Sequence, residues 1–322
     1  MAKTIVIWAI DPFESKALPH PSEIQMWLKW AKDLGAEIQP VYVYNRRPQK
    51  EARGVASDTL AGKLRVCEEL KTYLVTSGCS SHLTPEILTS YDSPTGGIVQ
   101  MLLQYAKKIK AHAILVSSRG RKGFDRFVFG SIAENLLLLS PIPVIFLTHL
   151  HEATTLSTRN AILFPTDLSD HSKKVFGHLL SSAKKFHAEI AIYHGNCLQT
   201  ATAETETMSL PDDYLTENED RTKRELEKLV VAATEAGVKA SFRIEHIGMS
   251  LYLAPAIIEA AQKNSVRFIA MATSSGRFGS IFFGSVAREV MRANLYSVMA
   301  YGPNIFDVEN ESSQSQGFTK IK

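Results

Sequence analysis

Two successive α/β domains, each a five-stranded parallel sheet with helices on both faces, are the fold class that the sequence predicts, and three observations predict it. The chain has 322 residues, beyond the size at which one hydrophobic core usually keeps growing. It also repeats itself. Ala31, Lys32, Ala36, Glu37 and Ile38 recur as Ala183, Lys184, Ala188, Glu189 and Ile190, and Phe129, Gly130, Ser131 and Ala133 recur as Phe283, Gly284, Ser285 and Ala287, at separations of 152 and 154 positions. Two matches far apart at nearly one separation indicate duplication of a domain-sized segment. Within each copy, short apolar runs alternate with helical patterns, the signature of parallel strands joined by crossover helices.

The elements follow in order. Residues 5–10 are an apolar run of strand length, and Ile24, Trp27, Leu28 and Ala31 fall on one face of a helix. A strand over 38–44, a helix over 64–74, a short strand over 86–88 and a helix over 97–110 come next. The apolar run 112–116, a glycine-rich loop, a helix opening near Ser131 and a strand over 143–148 complete the first copy. The second copy reads as a strand over 161–165, a helix from about Ser172, a strand over 189–193 and a charged helix over 221–235. Strand 239–245, helix 254–263, strand 267–272, a second glycine-containing loop and strand 297–301 finish it. Leu226, Leu229, Val230 and Ala233 form one apolar stripe on the charged helix, which docks it on its own sheet.

Near-continuous apolar strands are buried on both faces, and right-handed crossovers then wind the sheet doubly. Ligands of such sheets sit beyond the carboxyl ends of the strands, where strand order reverses. The expected divisions are a domain over 1–149, a Ser/Thr-rich linker over 150–158, a domain over 159–303 and a flexible tail over 304–322, with 200–218 also expected to be mobile.

Composition narrows the function classes. With 45% hydrophobic and 21% charged residues, and 36 Lys+Arg against 33 Asp+Glu, the chain is neither disordered nor membrane-like. A net charge of +3, spread among acids, gives no basis for a nucleic-acid partner. Cys67, Cys79 and Cys197 form no Cys-x-x-Cys pair and no metal-ligand spacing. The opening apolar run meets Asp11 too soon for a signal peptide or a membrane span, so the expected compartment is the cytoplasm, without membrane insertion.

The most informative segment is Ser117, Ser118, Arg119, Gly120, Arg121, Lys122 and Gly123, followed after six intervening residues by Gly130 and Ser131. It leaves a strand and enters a helix, where glycines let backbone approach a phosphate and helix N-terminal N–H groups point at it. Arg119 adds positive charge, and Gly130, Ser131 and Ile132 open the helix. On the residues alone, a connection that merely turns the chain is the other reading.

Gly120, nine residues, then Gly130-Ser131 resembles the universal stress protein family, whose ATP-binding members carry Gly-x-x-Gly, nine residues and Gly-Ser or Gly-Thr after the fourth strand. Ser117 stands in place of the first glycine, and Gly123 where many members have another. The resemblance covers both copies. Thr166, Asp167, Ser169 and Ser172 are similar to the family's opening strand and turn, whose Asp meets the adenosine moiety, and Asp11 is the counterpart in the first copy. The strand residue whose backbone meets adenine maps onto Val43 and onto Gly195. From the residue types alone, Asp11 and Asp167 also suit a helix cap, and the two roles can coexist.

In the second copy only seven residues separate Gly276 from Gly284, with Gly279 between them and Ser285 after, and Met271 and Ser274 occupy the glycine slots. That loop is too short to wrap a triphosphate in the same way, so residues 166, 167, 195, 276, 279, 284 and 285 make at most a weak second site.

The resemblance implies tandem Rossmann-like, HUP-type domains and an adenine nucleotide, ATP with Mg on its phosphates, held mainly by the first copy. It implies a stress-response switch with an unidentified regulatory protein, and pairing of last strands, here around Val144 and Val298, within the chain or in a homodimer. No Gly-x-x-x-x-Gly-Lys-Ser/Thr loop, Gly-x-Ser-x-Gly elbow, His-Glu-x-x-His helix or EF-hand loop is present. Efficient catalysis is therefore not expected. The alternatives are a protein-interaction module that kept the fold without the ligand and, more distantly, an adenylating-type enzyme, whose Ser-Gly-Gly-x-Asp-Ser or His-x-x-His signature is absent.

Overall fold

The computed structural model describes residues 3–10, 21–33, 35–45, 56–76, 84–90, 94–117, 131–147, 160–197, 212–275, 281–282, 285–293 and 295–306. The first repeat contains β1 (Thr4–Ala9), α1 (Pro21–Asp33), β2 (Ala36–Asn45), α2 (Ala56–Thr76), β3 (Glu86–Ser90), α3 (Pro94–Lys108), β4 (Ala113–Ser117), α4 (Ser131–Leu139) and β5 (Val144–Leu147). Its strands run in the order β3-β2-β1-β4-β5, all parallel. The second repeat contains β6 (Ala161–Pro165), α5 (Asp170–Lys185), β7 (Glu189–Cys197), α6 (Asp212–Glu235), β8 (Ala240–Ile247), α7 (Leu253–Lys263) and β9 (Phe268–Ala272). A small hairpin, β10 (Ser274–Ser275) and β11 (Ile281–Phe282), α8 (Ser285–Ala293) and β12 (Ser297–Tyr301) follow. Here the order is β8-β7-β6-β9-β12, with β6, β7, β8 and β9 parallel.

Two compact units result. One comprises Met1–Leu150, Thr273–Phe282 and Met299–Lys322; the other comprises His151–Ala272 and Phe283–Val298. Each has its own core. In the first, Val6, Ile7 and Ile114 are fully buried on the central strands, and Trp8 meets Trp27 of α1 edge to face at 6.3 Å. In the second, Leu163 and Phe164 are fully buried, and Phe164 packs on Phe176 of α5 at 5.4 Å. The charged helix α6 buries Leu226, Leu229 and Ala233, as its stripe predicts.

The duplication is visible in how helices end. Ala111 N–H donates to Ala106, Ala188 to Ala183, Val238 to Ala233 and Val266 to Ala261, at 2.8, 2.8, 2.8 and 3.1 Å. Each is the six-to-one bond of a Schellman closure, with the donor residue buried after a left-handed one. The left-handed positions are Lys110, His187, Gly237 and Ser265, at φ 54, 49, 74 and 49°. Only Gly237 has the residue that this region favours, so the buried apolar residue that follows holds the other three turns.

Several boundaries differ from expectation. Of the stretch 200–218, Asp212–Asn218 forms the start of α6, because the helix stripe docks its C-terminal half and the hydrogen-bond ladder propagates toward the N-terminus; 200–211 lie outside the described residues. The expected tail begins at 304, yet a 3-10 turn over Pro303–Phe306 carries ordered chain further and buries Ile305. The expected linker, 150–158, and residues 307–322 lie outside the described residues.

Among the described residues, no helix is long and apolar enough to cross a membrane. Between α5 and α6, Glu225 takes Lys173 at 2.6 Å and Lys228 at 2.6 Å. Hydrogen bonds from Lys173 first and Lys228 second lower its carboxyl from 4.5 to about 2. A carboxyl held below its unfolded value stabilises the fold above that value and ceases to as pH falls through the folded one. Glu225→Gln therefore lowers the urea midpoint at pH 7, and the gap to wild type closes between pH 4.5 and about 2; urea unfolding in a pH series measures it.

Candidate functional site

Parallel pairing brings the carboxyl ends of β1 to β5 to one edge of their sheet. The chain visits β2 and β3 on one side of β1, then β4 and β5 on the other, so strand order reverses between β1 and β4. In register, Ala9 lies opposite Val116, which leaves Ile10 and Ser117 flanking the crevice. Ile10 N–H still donates to Val41 at 3.0 Å, so the chain follows β2 as it leaves β1. Val43 is buried, opposite Leu88 on β3. Ser117 closes β4 opposite Leu147. Asp11, Arg119, Gly120, Gly123 and Gly130 lie outside the described residues.

At the same edge two helices begin. Ser131 opens α4, with Ile132 half-buried behind it, and Thr95 stands in the first turn of α3. The Thr95 and Ser131 hydroxyls are 3.5 Å apart, and α3 packs along α4. Two helix N-termini therefore face one place, each with N–H groups that have no acceptor within their own helix and with the positive end of its dipole. Sequence reasoning singled out Ser131 and not Thr95, whose only signal is Pro94 before it, a residue suited to a helix's first position. Such a pair of termini suits an anion.

The second repeat keeps the frame and spends it differently. Thr166 N–H donates to Tyr193 at 2.9 Å, the equivalent of Ile10 to Val41, so Asp167 stands where Asp11 follows in the first repeat. Asp167 Oδ1 accepts from the Ser169 N–H at 3.0 Å and its hydroxyl at 2.7 Å. Ser169 in turn caps α5 by accepting from Ser172 N–H at 3.2 Å. Thr166 Oγ1 accepts from Leu168 N–H at 3.0 Å and shares a proton with the Ser172 hydroxyl at 2.9 Å. Leu168 is turned to φ 61° inside this network. Asp167 thus closes a turn that holds Ser169, the cap of α5.

Histidines near the strand ends are likewise committed. His194 Nδ1 lies 2.9 Å from the Thr166 carbonyl, and a carbonyl partner requires that this nitrogen donate. His246 Nε2 meets Glu219 Oε1 at 2.9 Å. Tyr193 donates to Glu245 Oε2 at 3.1 Å; burial first, then Glu245, pushes its phenol well above the ordinary range. Among the described residues, no three His, Cys, Asp or Glu side chains group to hold a metal.

Gly195, the counterpart of Val43, lies under the side-chain ends of its neighbours. A Cβ there would come within 3.0 Å of Ile247 Cδ1 and closer still to Leu253 Cδ1 at the start of α7. Beyond β9, Thr273 N–H and hydroxyl both donate to the Tyr301 carbonyl, at 3.1 and 3.0 Å. The chain then folds back, with Ser274 opposite Phe282 and Ser275 opposite Ile281 in an antiparallel ladder. Gly276, Gly279 and Gly284 lie outside the described residues, and Ser285 opens α8, exposed. Sequence reading saw a shortened loop here and did not foresee the hairpin.

Comparison with known proteins agrees with this architecture. A family model described as "Universal stress protein family" matches the chain twice, over residues 24–147 and 158–300. A solved universal stress protein from Archaeoglobus fulgidus DSM 4304 is similar over 94% of this chain and 99% of its own, at 17% identity and TM-score 0.59. A functionally unknown protein from Pseudomonas aeruginosa PAO1 is similar over 97% and 98%, at 15% identity and TM-score 0.53. A putative universal stress protein from Pseudomonas aeruginosa UCBPP-PA14 is similar over 97% and 98%, at 17% identity and TM-score 0.50. No curated protein matches.

Restoring the first repeat's residue at the end of β7 tests the packing. Gly195→Val crowds Leu253 and Ile247 and is expected to cost about 1–3 kcal/mol, read as a lower urea midpoint.

Proposed function

Since the chain belongs to the universal stress protein family, we propose that it binds an adenine nucleotide, ATP in the first instance, in its first repeat and works as a stress-response regulatory switch. One observation carries this reading: the N-terminal turns of α3 and α4 open together, Thr95 and Ser131 3.5 Å apart, at the edge where strand order reverses. Helix N-termini there supply N–H donors and positive potential for phosphates. The adenine end lies toward β2, near Val43, with Asp11 beside the ribose. Arg119, Gly120, Gly123, Gly130, Ser131 and Ile132 frame the phosphates, and Ser117 ends the strand before them. Mg accompanies the phosphates when bound; the hydroxyls of Thr95 and Ser131 are oxygen donors of the kind it takes.

The protein holds its nucleotide without efficient hydrolysis. Turnover needs a group that orients the attacking water, and the sequence offers no motif for one. Cytoplasmic residence and signalling through a separate protein partner complete the proposal, with domains over 1–149 and 159–303. Last-strand pairing within one chain is part of it: Met299–Tyr301, the end of β12, clusters with the first unit. A homodimer can form in addition.

The second repeat is read differently, on a specific observation. Asp167 Oδ1 is taken up by Ser169 and Gly195 is packed over by Leu253, so this repeat serves mainly as scaffold and interaction module, with Thr166, Asp167, Gly195, Gly276, Gly279, Gly284 and Ser285 a weak second site at most.

Mass spectrometry of nucleotide released from freshly purified protein, followed by ATP titration, tests the reading. Ser131→Ala removes one hydrogen bond to a charged ligand and is expected to weaken ATP about tenfold, with unchanged circular dichroism. No released nucleotide and no ATP binding by wild type would remove the proposal.

A further inference from the structure

The first unit takes in two segments from late in the chain, Thr273–Phe282 and Met299–Lys322, and the second of these touches α4 through backbone. A Cβ on Gly302 would come within 3.0 Å of the Leu137 carbonyl carbon and closer still to its oxygen. Leu137 lies inside α4, where the backbone cannot yield as a flexible side chain can, so only glycine permits this approach. Two residues on, Asn304 Nδ2 donates to Leu139, the last residue of α4, at 3.4 Å. That carbonyl is among the last four of the helix, which have no partner within it.

The turn that makes these contacts is itself held. Ile305 is buried and its N–H donates to Gly302 at 3.3 Å. Just before it, the fully buried Tyr301 gives its carbonyl to both donors of Thr273 and its hydroxyl to Met299 Sδ at 3.1 Å. By contrast α4 has only nine residues, short enough that a helix depends on packing rather than on its own ladder. Its buried Leu136 and Leu137 supply part of that packing.

We propose that residues 301–306, anchored through Thr273, are a strap that fixes α4 along its axis, and that Gly302 and Asn304 are thereby positioning residues for Ser131 at the other end of the same helix. The strap's geometry stands without any ligand; its consequence for nucleotide affinity rests on the function proposed above. Because a helix transmits displacement along its length, loosening the strap moves the N–H groups of the first turn. By linkage, a ligand that prefers the strapped position of α4 also strengthens the strap.

Hydrogen exchange on the full chain tests this, with Gly302→Ala and, as a second variant that leaves the Gly302 backbone untouched, Ile305→Ala. The strap predicts that peptides covering α4 exchange at least tenfold faster in either variant, with α5 of the second unit unchanged and ATP affinity reduced at least threefold. Unchanged α4 exchange in a folded variant overturns the proposal, as does equal acceleration of α4 and α5, which is general loss of stability. Faster α4 exchange with ATP affinity unaltered overturns the positioning role. If wild type binds no ATP, the nucleotide reading fails while the contrast between α4 and α5 still decides the strap. Should Gly302→Ala not fold, Ile305→Ala decides alone.

Discussion

The parallel pairing of β1 with β2 on one side and β4 on the other is the constraint from which the candidate site follows. Parallel neighbours cannot be joined by a tight turn, so each connection must cross a face of the sheet and re-enter at the same end. All strands therefore finish on one edge, and where the chain changes direction across the sheet no crossover covers the gap. In the first repeat Ile10 and Ser117 border that gap, and the helices that follow β3 and β4 begin beside it. Position comes from main-chain hydrogen bonds and buried Val, Ile and Leu side chains, leaving the loops at the edge to vary.

Duplication then shows what the frame requires and what it leaves open. Main-chain bonds recur in both repeats: Ile10 to Val41 and Thr166 to Tyr193, His112 to Ile5 and Arg267 to Ala161. Helix closures recur as well, even where His187 replaces Gly35 in a left-handed turn. Among the described residues, side chains at the end of the second strand differ. Val43 becomes Gly195 beneath Leu253, and the stretch after β9 folds into a hairpin anchored by Thr273. Asp167 accepts from Ser169, the residue that caps α5.

Most of the fold was legible because it rests on periodicity. Strands such as Ala161–Pro165 and Ser297–Tyr301 are unbroken apolar runs, and α6 carries a clean stripe of Leu226, Leu229 and Ala233. Much less could be read where main chain meets main chain. The approach of Gly302 to Leu137 depends on two segments separated by more than a whole repeat, and glycine in sequence looks the same whether it opens a turn or admits a neighbour. Thr95 was missed for a similar reason: its role comes from the packing of α3 along α4, which no local pattern encodes. The start of α6 was misjudged because a polar helix end resembles a loop until its apolar half is docked.

The proposed function places one nucleotide in the first repeat and at most a weak site in the second. Titration calorimetry of ATP into the intact chain tests it most directly. A stoichiometry of one nucleotide per chain is the predicted result; two equivalent sites, or none, would contradict it.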